Sequence, residues 1–422
     1  MFELDPAFIR PTYDGHCFTA IPASIGPLLG APGAVALPAG LMHDRPAAFR
    51  AVVFLLLDGF GWRFFEKYTD DYPALRRFIA ADGVARLTAQ FPATTAAHVT
   101  SLHTNLEVGQ TGVYEWQYYE PQLDAVITPL LFSFAGTKER DTLKATNIDP
   151  RRLYPTATIY QKLAAAGITS YIFQHKEYTP STYSDIVFRG ATAVGYRTLP
   201  EGLVNLRSLL DERKSGGAEP AGPTYYVFYF DRLDAMCHEY GPNSPQVEAE
   251  LDAFFTLLER LFLSRLDGGT GDTLFLLTAD HGQSETDPAT TIYLNTGGDF
   301  AGFERFLRTD RQGKVLPPGG SARDVFLYVR DEALDEAQDF LARRLAGRAV
   351  VYRASDLIAA GFFGAQPPTS VFMGRVGNLV VLPYRGEAVW WYEKDRFEQR
   401  FYGHHGGLTP QELEIPLLMC RI

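Results

Sequence analysis

Three apolar runs that do not alternate, each ending at an acid, constrain the fold more than any other feature. They are Ala51-Val-Val-Phe-Leu-Leu-Leu57 before Asp58, Tyr225-Tyr-Val-Phe-Tyr-Phe230 before Asp231, and Thr273-Leu-Phe-Leu-Leu-Thr278 just before Asp280. A strand wetted on one side alternates polar and apolar residues, whereas an unbroken apolar run is buried on both faces, the habit of parallel sheets covered by helices. Helical texture falls between the runs. From Pro245 to about Leu266, Ser244 can cap, Pro245 suits the first position, and Gly268-Gly269 stop the element. Val247, Leu251, Phe254, Leu258 and Leu261 recur on one face of it. This strand–helix alternation predicts an α/β chain, a three-layer α/β/α sandwich around a mostly parallel central sheet. In such sheets ligands collect outside the carboxyl ends of the strands, where these acids stand.

Composition narrows the partners. Lys and Arg total 39 against 50 Asp and Glu, a formal charge of −11. Binding of nucleic-acid polymers or anionic membranes needs a cationic surface, so neither is expected. A small anionic substrate is compatible, provided that a metal supplies local positive charge. Cys17, Cys237 and Cys420 are too few and too scattered for a disulfide framework or a thiolate metal site, and are expected to be reduced and packed. No stretch approaches the ~20 apolar residues of a membrane span, and the start lacks a basic segment followed by an apolar one, so the expectation is a soluble cytoplasmic protein. The run Lys214-Ser-Gly-Gly-Ala-Glu-Pro-Ala-Gly-Pro223 reads as a surface loop between a helix and a strand.

Five short motifs carry the candidate chemistry. Thr278-Ala-Asp-His-Gly-Gln-Ser-Glu285 places Asp280 and His281 directly after a buried strand, a pair suited to zinc, with a glycine that lets backbone pass close to an ion. Asp234 and His238 are spaced i, i+4, which sets a carboxylate and an imidazole on one helical face as a ligand pair or an ion pair. Tyr402-Gly-His-His-Gly-Gly407 presents His404 and His405 from a glycine-flanked loop, and Asp58 stands at a strand end in Leu57-Asp-Gly-Phe-Gly61. Phe91-Pro-Ala-Thr-Thr-Ala-Ala-His-Val-Thr100 opens a helix expected to run to about Leu106. A threonine there sits at the positive end of the helix dipole, as nucleophile or merely as cap.

Taken together, in this order, the motifs resemble the alkaline phosphatase superfamily, most closely its nucleotide pyrophosphatase/phosphodiesterase branch. The resemblance implies two metal sites, usually zinc, with manganese or iron as alternatives. Asp58, Asp280 and His281 with the hydroxyl of Thr95 would hold one ion, and Asp234, His238 and His405 the other. Thr95 would be the nucleophile, with Thr94 as runner-up, and a phosphothreonine would form and be hydrolysed. Small phosphate esters are the implied substrates, diesters or nucleotide-type pyrophosphates first. A phosphonate hydrolase or phosphotransferase on the same core, or a non-catalytic binding protein, are the rivals.

The sequence also departs from the branch. Ala96 follows the threonine where the branch usually has an aromatic residue. Its later phosphate-binding Asn aligns near Trp116, and the only Asn between Thr95 and Thr146 is Asn105, so Trp116 and Asn105 are the substrate-binding candidates. The Arg that clamps a monoester dianion in alkaline phosphatase proper has no counterpart near Thr95, which leans toward diesters, and the sulfatase Cys/Ser-x-Pro-x-Arg signature is missing. His98 and His103 are five apart and read as packing or supporting residues; His404 reads as a support or surface residue, and Asp231 as a strand-ending acid that could brace His238. His16, His43 and His175 have no partner pattern. Residues 1–285 with 401–422 are expected to form the catalytic core, and 286–400 a cap over the metals, the alternative being that this segment completes the core sheet.

Overall fold

A computed structural model describes residues 2–42, 46, 48–214, 222–266 and 271–422. His43, the centre of the 214–223 loop and Gly268-Gly269 lie outside the described residues. The central sheet has seven strands: β1 (Ala51–Leu57), β2 (Val84–Thr88), β3 (Thr169–His175), β4 (Thr192–Tyr196), β5 (Thr224–Phe230), β6 (Thr273–Thr278) and, near the C-terminus, β11 (Glu414–Arg421). Their order across the sheet is β2-β11-β6-β1-β5-β3-β4. Strands β6, β1, β5, β3 and β4 pair in parallel, and β11 runs antiparallel between β6 and β2.

The three apolar runs are therefore the three adjacent central strands. Every residue of β1 and β6 is buried, and all but one of β5. Each Val, Leu or Phe buried there stabilises the fold by roughly 1.5–3 kcal/mol before chain entropy is counted. Register aligns Leu57 with Phe230 and Leu56 with Thr278, so Asp58, Asp231 and Asp280 emerge at one edge.

Helix α1 (Thr95–Thr104) ends two residues short of the expected Leu106, because Asn105 turns left-handed at φ 55°. Helix α2 (Arg232–Tyr240) follows β5, and α3 (Pro245–Leu258) is capped by Ser244, whose Oγ accepts the Val247 amide. The helix expected to run to Leu266 does continue, but through a π-turn over Glu259–Leu263. The extra residue in that turn rotates the apolar face by one position, so Phe262 and Leu263 are buried and Leu261 is only half-buried.

Residues 286–400 build a separate antiparallel sheet of four strands, β7 (Gly319–Ser321), β8 (Asp324–Leu327), β9 (Ala349–Arg353) and β10 (Leu379–Pro383), in the order β7-β8-β10-β9. Alternation along β8 and β10 explains its two partners. Phe326, Val380 and Leu382 point into the main core, while Val325, Leu327, Leu379 and Val381 join a second cluster with Phe303 and Phe340. A buried ion pair ties this sheet to the histidine loop: Arg323 Nε and Nη2 lie 2.9 and 2.8 Å from the two Glu412 oxygens, and Glu412 also accepts the Gly407 amide. Among the described residues no helix is long and apolar enough to cross a membrane, and Cys17, Cys237 and Cys420 are buried and free.

Candidate active site

The strand ends supply one half of the site. Asp58 follows β1, and Asp280 and His281 follow β6. His281 Nε2 lies 3.3 Å from Asp58 Oδ1 and 3.4 Å from Asp280 Oδ2. Asp280 Oδ1 accepts the amides of Gly59 and His281, at 3.2 and 3.1 Å. Its Oδ2 has no hydrogen-bond partner among the described residues, although Asp280 is wholly buried. Tyr229, on β5, donates to Asp58 Oδ2 at 2.5 Å.

Helix α2 and the histidine loop supply the other half. The i, i+4 spacing works as expected: His238 Nε2 is 3.2 Å from Asp234 Oδ2, and His405 Nε2 is 3.7 Å from Asp234 Oδ1. Gln283 also donates to Asp234. Gly59, at φ 74°, lets the two halves meet, since a Cβ there would press within 3.2 Å of the Asp234 side chain. The rings of His281 and His405 stack at 3.5 Å between centroids.

All three histidines share one device. Nδ1 faces a backbone carbonyl in each case: Gly282 for His281 at 3.0 Å, Gly403 for His238 at 2.8 Å, and Ala93 for His405 at 2.9 Å. A neutral imidazole that donates from Nδ1 keeps a lone pair on Nε2, here aimed at the carboxylates, which is how ligating histidines are oriented. Two groupings have ligand atoms close enough for an ion, Asp58 with Asp280 and His281, and Asp234 with His281 and His405. His281 belongs to both, and His238 joins the second through Asp234.

Electrostatics follow from crowding. Burial raises the Asp58 pKa well above the usual carboxylate value, and the nearby Asp280 and Asp234 add to it. Burial also lowers His405 well below its ordinary value, with His281 as the next cause. For Asp234 burial acts upward, but His238, His405 and His281 more than offset it and hold its pKa below the normal range. His238 is raised because Asp234 outweighs the opposing effect of burial. Three carboxylates and three imidazoles with one orphaned buried oxygen form a donor set that fits two divalent cations of the zinc class.

Thr95 is the first residue of α1, and its hydroxyl lies 3.1 Å from His281 Nε2 and 3.4 Å from both Asp58 oxygens. Thr94 occupies the cap position without making a side-chain cap. The expected alternative, that the Thr95 hydroxyl serves only as a cap, is therefore not its position in the helix. His98 braces the turn, with Nδ1 2.7 Å from the Thr94 carbonyl and Nε2 accepting the Gln90 amide at 2.7 Å.

These groups open on a cavity of 1180 Å³, whose wall includes Trp116, Glu115, Lys138, Arg140, Tyr178 and Phe397. Trp116, 45% exposed, lines it. Asn105 is not part of its wall; nine residues lie between it and Thr95, and it caps the far end of α1. Asp231 accepts from Tyr178 and makes no bond to His238, whose outer nitrogen faces Gly403. His404 is buried beside the His238 ring, at 5.3 Å, and its Nδ1 accepts the His405 amide. His103 is buried against Tyr160, while His16 and His175 lie at the surface with Asp14 and Glu177. Sequence reasoning missed Tyr229, Gln283, Lys138 and Arg140. Tyr229 was hidden in an apolar strand, and the cations lie in a loop without periodicity.

The type I phosphodiesterase/nucleotide pyrophosphatase family model matches residues 52–408, from β1 to the histidine loop. The chain belongs to this family. Its members are metal-dependent, and membership supports phosphoester hydrolysis as the reaction class. Solved structures with the same fold include murine ectonucleotide pyrophosphatase/phosphodiesterase 5, in an inactive form with AMP, at 17% identity and TM-score 0.59, covering 87% of both chains. Phosphonoacetate hydrolase from Sinorhizobium meliloti 1021, in complex with phosphonoacetate, aligns at 18% identity and TM-score 0.60, covering 88% of this chain and 90% of that one. No curated protein sequence matches the chain significantly.

Proposed function

We propose that this family member is a zinc-dependent phosphodiesterase that works through Thr95. The observation carrying the reading is the convergence of Asp58, Asp280, His281, Asp234, His238 and His405 around the Thr95 hydroxyl at the mouth of a large cavity. Asp58, Asp280, His281 and Thr95 would hold one ion, and Asp234, His238 and His405 the second. Two such ions supply Lewis-acid charge that favours an ionised hydroxyl and neutralises phosphoryl oxygens.

The chain's own part is positional. The start of α1 holds Thr95 Oγ in the cluster, with backbone N–H groups of the first turn free to face an anion. Thr95 Oγ forms a bond to phosphorus as the bond to the leaving oxygen breaks, and the leaving group departs as an alcohol once protonated. Water then displaces Thr95 from the phosphothreonine, releasing a phosphomonoester and restoring the hydroxyl. Trp116 gives a stacking face to an aromatic leaving group. We further propose that residues 286–400 act as the cap, since Trp390, Phe397 and Gly320 of that segment line the cavity.

A second reading, a phosphonate hydrolase on the same core, is favoured by Lys138 and Arg140, which give the wall positive charge suited to an anionic leaving group. The test is hydrolysis of bis-p-nitrophenyl phosphate, p-nitrophenyl phosphate and phosphonoacetate by chelator-stripped protein reloaded with zinc. Zinc-restored activity highest on the diester supports the first reading, and activity on phosphonoacetate alone supports the second. Stoichiometric zinc without turnover of any of the three sinks both.

A further inference from the structure

Of the large apolar side chains exposed among the described residues, two line the cavity, Trp116 and Phe401. The Phe401 ring lies 4.5 Å from the His238 ring between centroids, tilted by 39°, and 5.6 Å from the His404 ring. It is 43% exposed, so one side leans on the histidines and the rest is open. Its backbone is pinned. The Phe401 amide donates to Gln399 Oε1 at 2.8 Å, and its carbonyl accepts from the Thr286 hydroxyl at 2.7 Å and from Gln399 Nε2 at 3.0 Å. The next amide, of Tyr402, donates to the His238 carbonyl at 2.9 Å, so the ring and the proposed ligand belong to one hydrogen-bonded unit.

A phenyl side chain left half open forgoes burial that would stabilise the fold. Steadying His238 does not require it, because that imidazole is already fixed by the Gly403 carbonyl at 2.8 Å and by Asp234 at 3.2 Å. The open face is therefore available to a ligand. In-line displacement decides which part of a substrate comes there, since attacking and leaving oxygens stand on opposite sides of phosphorus. Thr95 Oγ belongs to the strand-end half, 3.1 Å from His281 Nε2. The leaving group thus departs over the other half, where Asp234, His238 and His405 stand. Carbon attached to a leaving oxygen beside His238 meets Phe401. A planar ring suits that face best, because it stacks with little loss of freedom and aromatic pairs are worth more than their buried area alone.

We propose that Phe401 sets leaving-group specificity, holding the ring of an aryl leaving group against its open face while the leaving oxygen lies beside His238. This inference rests on the phosphodiesterase reading above and narrows its substrates to diesters whose leaving group is an aromatic alcohol.

The test uses the full chain loaded with zinc and two diesters that share a methyl ester, phenyl methyl phosphate and hexafluoroisopropyl methyl phosphate. Their leaving alcohols are similarly acidic, but one has a ring and the other has none. Phe401→Ala should lower kcat/KM about tenfold on the phenyl ester and less than about threefold on the other, at equal zinc content. Phe401→Trp should restore the preference for the phenyl ester. Equal losses on both esters would assign Phe401 to the support of His238 and overturn the inference, as would undiminished rates in Phe401→Ala. Should Phe401→Ala fail to fold, Phe401→Leu, apolar but without a ring, takes its place in the same comparison. A readout free of turnover is the affinity of the zinc-loaded chain for p-nitrophenolate, followed by its absorbance, with inorganic phosphate as the comparison that has no ring. Phe401→Ala should weaken p-nitrophenolate about tenfold relative to phosphate, and an unchanged ratio overturns the contact. A wild type inert on every ester overturns the proposed function instead, and the p-nitrophenolate ratio then decides the role of Phe401 by itself.

Discussion

The two halves of the cluster are built from different material. Asp58, Asp280 and His281 stand on the ends of two central parallel strands, and their side chains are 0–3% exposed. Asp234, His238 and His405 come from a helix and a loop, and theirs are 10–17% exposed. The strand-end half is fixed by sheet register and has little freedom to adjust. The helix-and-loop half faces the cavity, and its loop is anchored through Glu412 and Arg323 of the second sheet. A rigid, enclosed half suits a tightly held ion with the nucleophile beside it, and a half that opens on the cavity suits an ion that meets the leaving group.

The sharpest way to break this comparison is substitution in the buried half. Asp280→Ala removes the one oxygen that accepts two buried amides along with a proposed ligand. It should lower diester hydrolysis at least about a thousandfold, or 4 kcal/mol, and reduce bound zinc. Elemental analysis together with kinetics checks both, and full metal occupancy would refute the ligand assignment. Thr95→Ala belongs to the same half but should separate metal from chemistry, abolishing turnover while zinc content and melting temperature stay near wild type. Wild-type rates in that variant would exclude Thr95 as nucleophile.

His405→Ala probes the open half. The expected result is loss of about one zinc per chain, the strand-end ion remaining, with activity down about a hundredfold and partly restored by excess zinc. Equal loss of both ions would mean that the two halves act as one unit, a possibility that the shared position of His281 makes worth testing. A smaller effect is expected for Tyr229→Phe, which removes the 2.5 Å hydrogen bond to Asp58 without touching a proposed ligand. Supporting contacts of this kind change metal affinity or activity about 10–100-fold, and the low end is expected here because Asp58 stays fixed by its strand. A zinc titration in competition with a chelator measures it.

The buried half was the more legible in sequence, for a physical reason. Asp58, Asp280 and His281 follow apolar runs whose lack of alternation already requires parallel, two-sided burial, so their convergence at one sheet edge follows from topology. Asp234 and His238 were legible through helical spacing. By contrast, Phe401 and His238 are far apart in sequence, and they meet only because residues 403–404 pair with 284–285 and the Tyr402 amide donates to the His238 carbonyl. No local periodicity encodes such a meeting. Asn105 shows the converse: a residue type suited to a phosphate contact is used by the left-handed turn that ends α1.

The smallest predicted effect concerns stability and contrasts the clustered histidines with one that has no carboxylate. His103 is buried, its Nδ1 2.7 Å from the Tyr160 hydroxyl, and burial lowers its pKa from an ordinary 6.5 to about 3. Below pH 6.5 the unfolded chain binds a proton there that the folded chain refuses until about pH 3. Stability from this group is thus complete above pH 6.5 and declines as pH falls through that window, with a slope approaching about 1.4 kcal/mol per pH unit. His103→Gln should cost roughly 1–2 kcal/mol near pH 7.5, because the Tyr160 hydroxyl loses a well-placed partner. Its urea-unfolding free energy should then fall less steeply than that of wild type between pH 6.5 and pH 5. Parallel slopes would show that His103 is already charged in the fold, and that burial without a carboxylate partner does not keep this imidazole neutral.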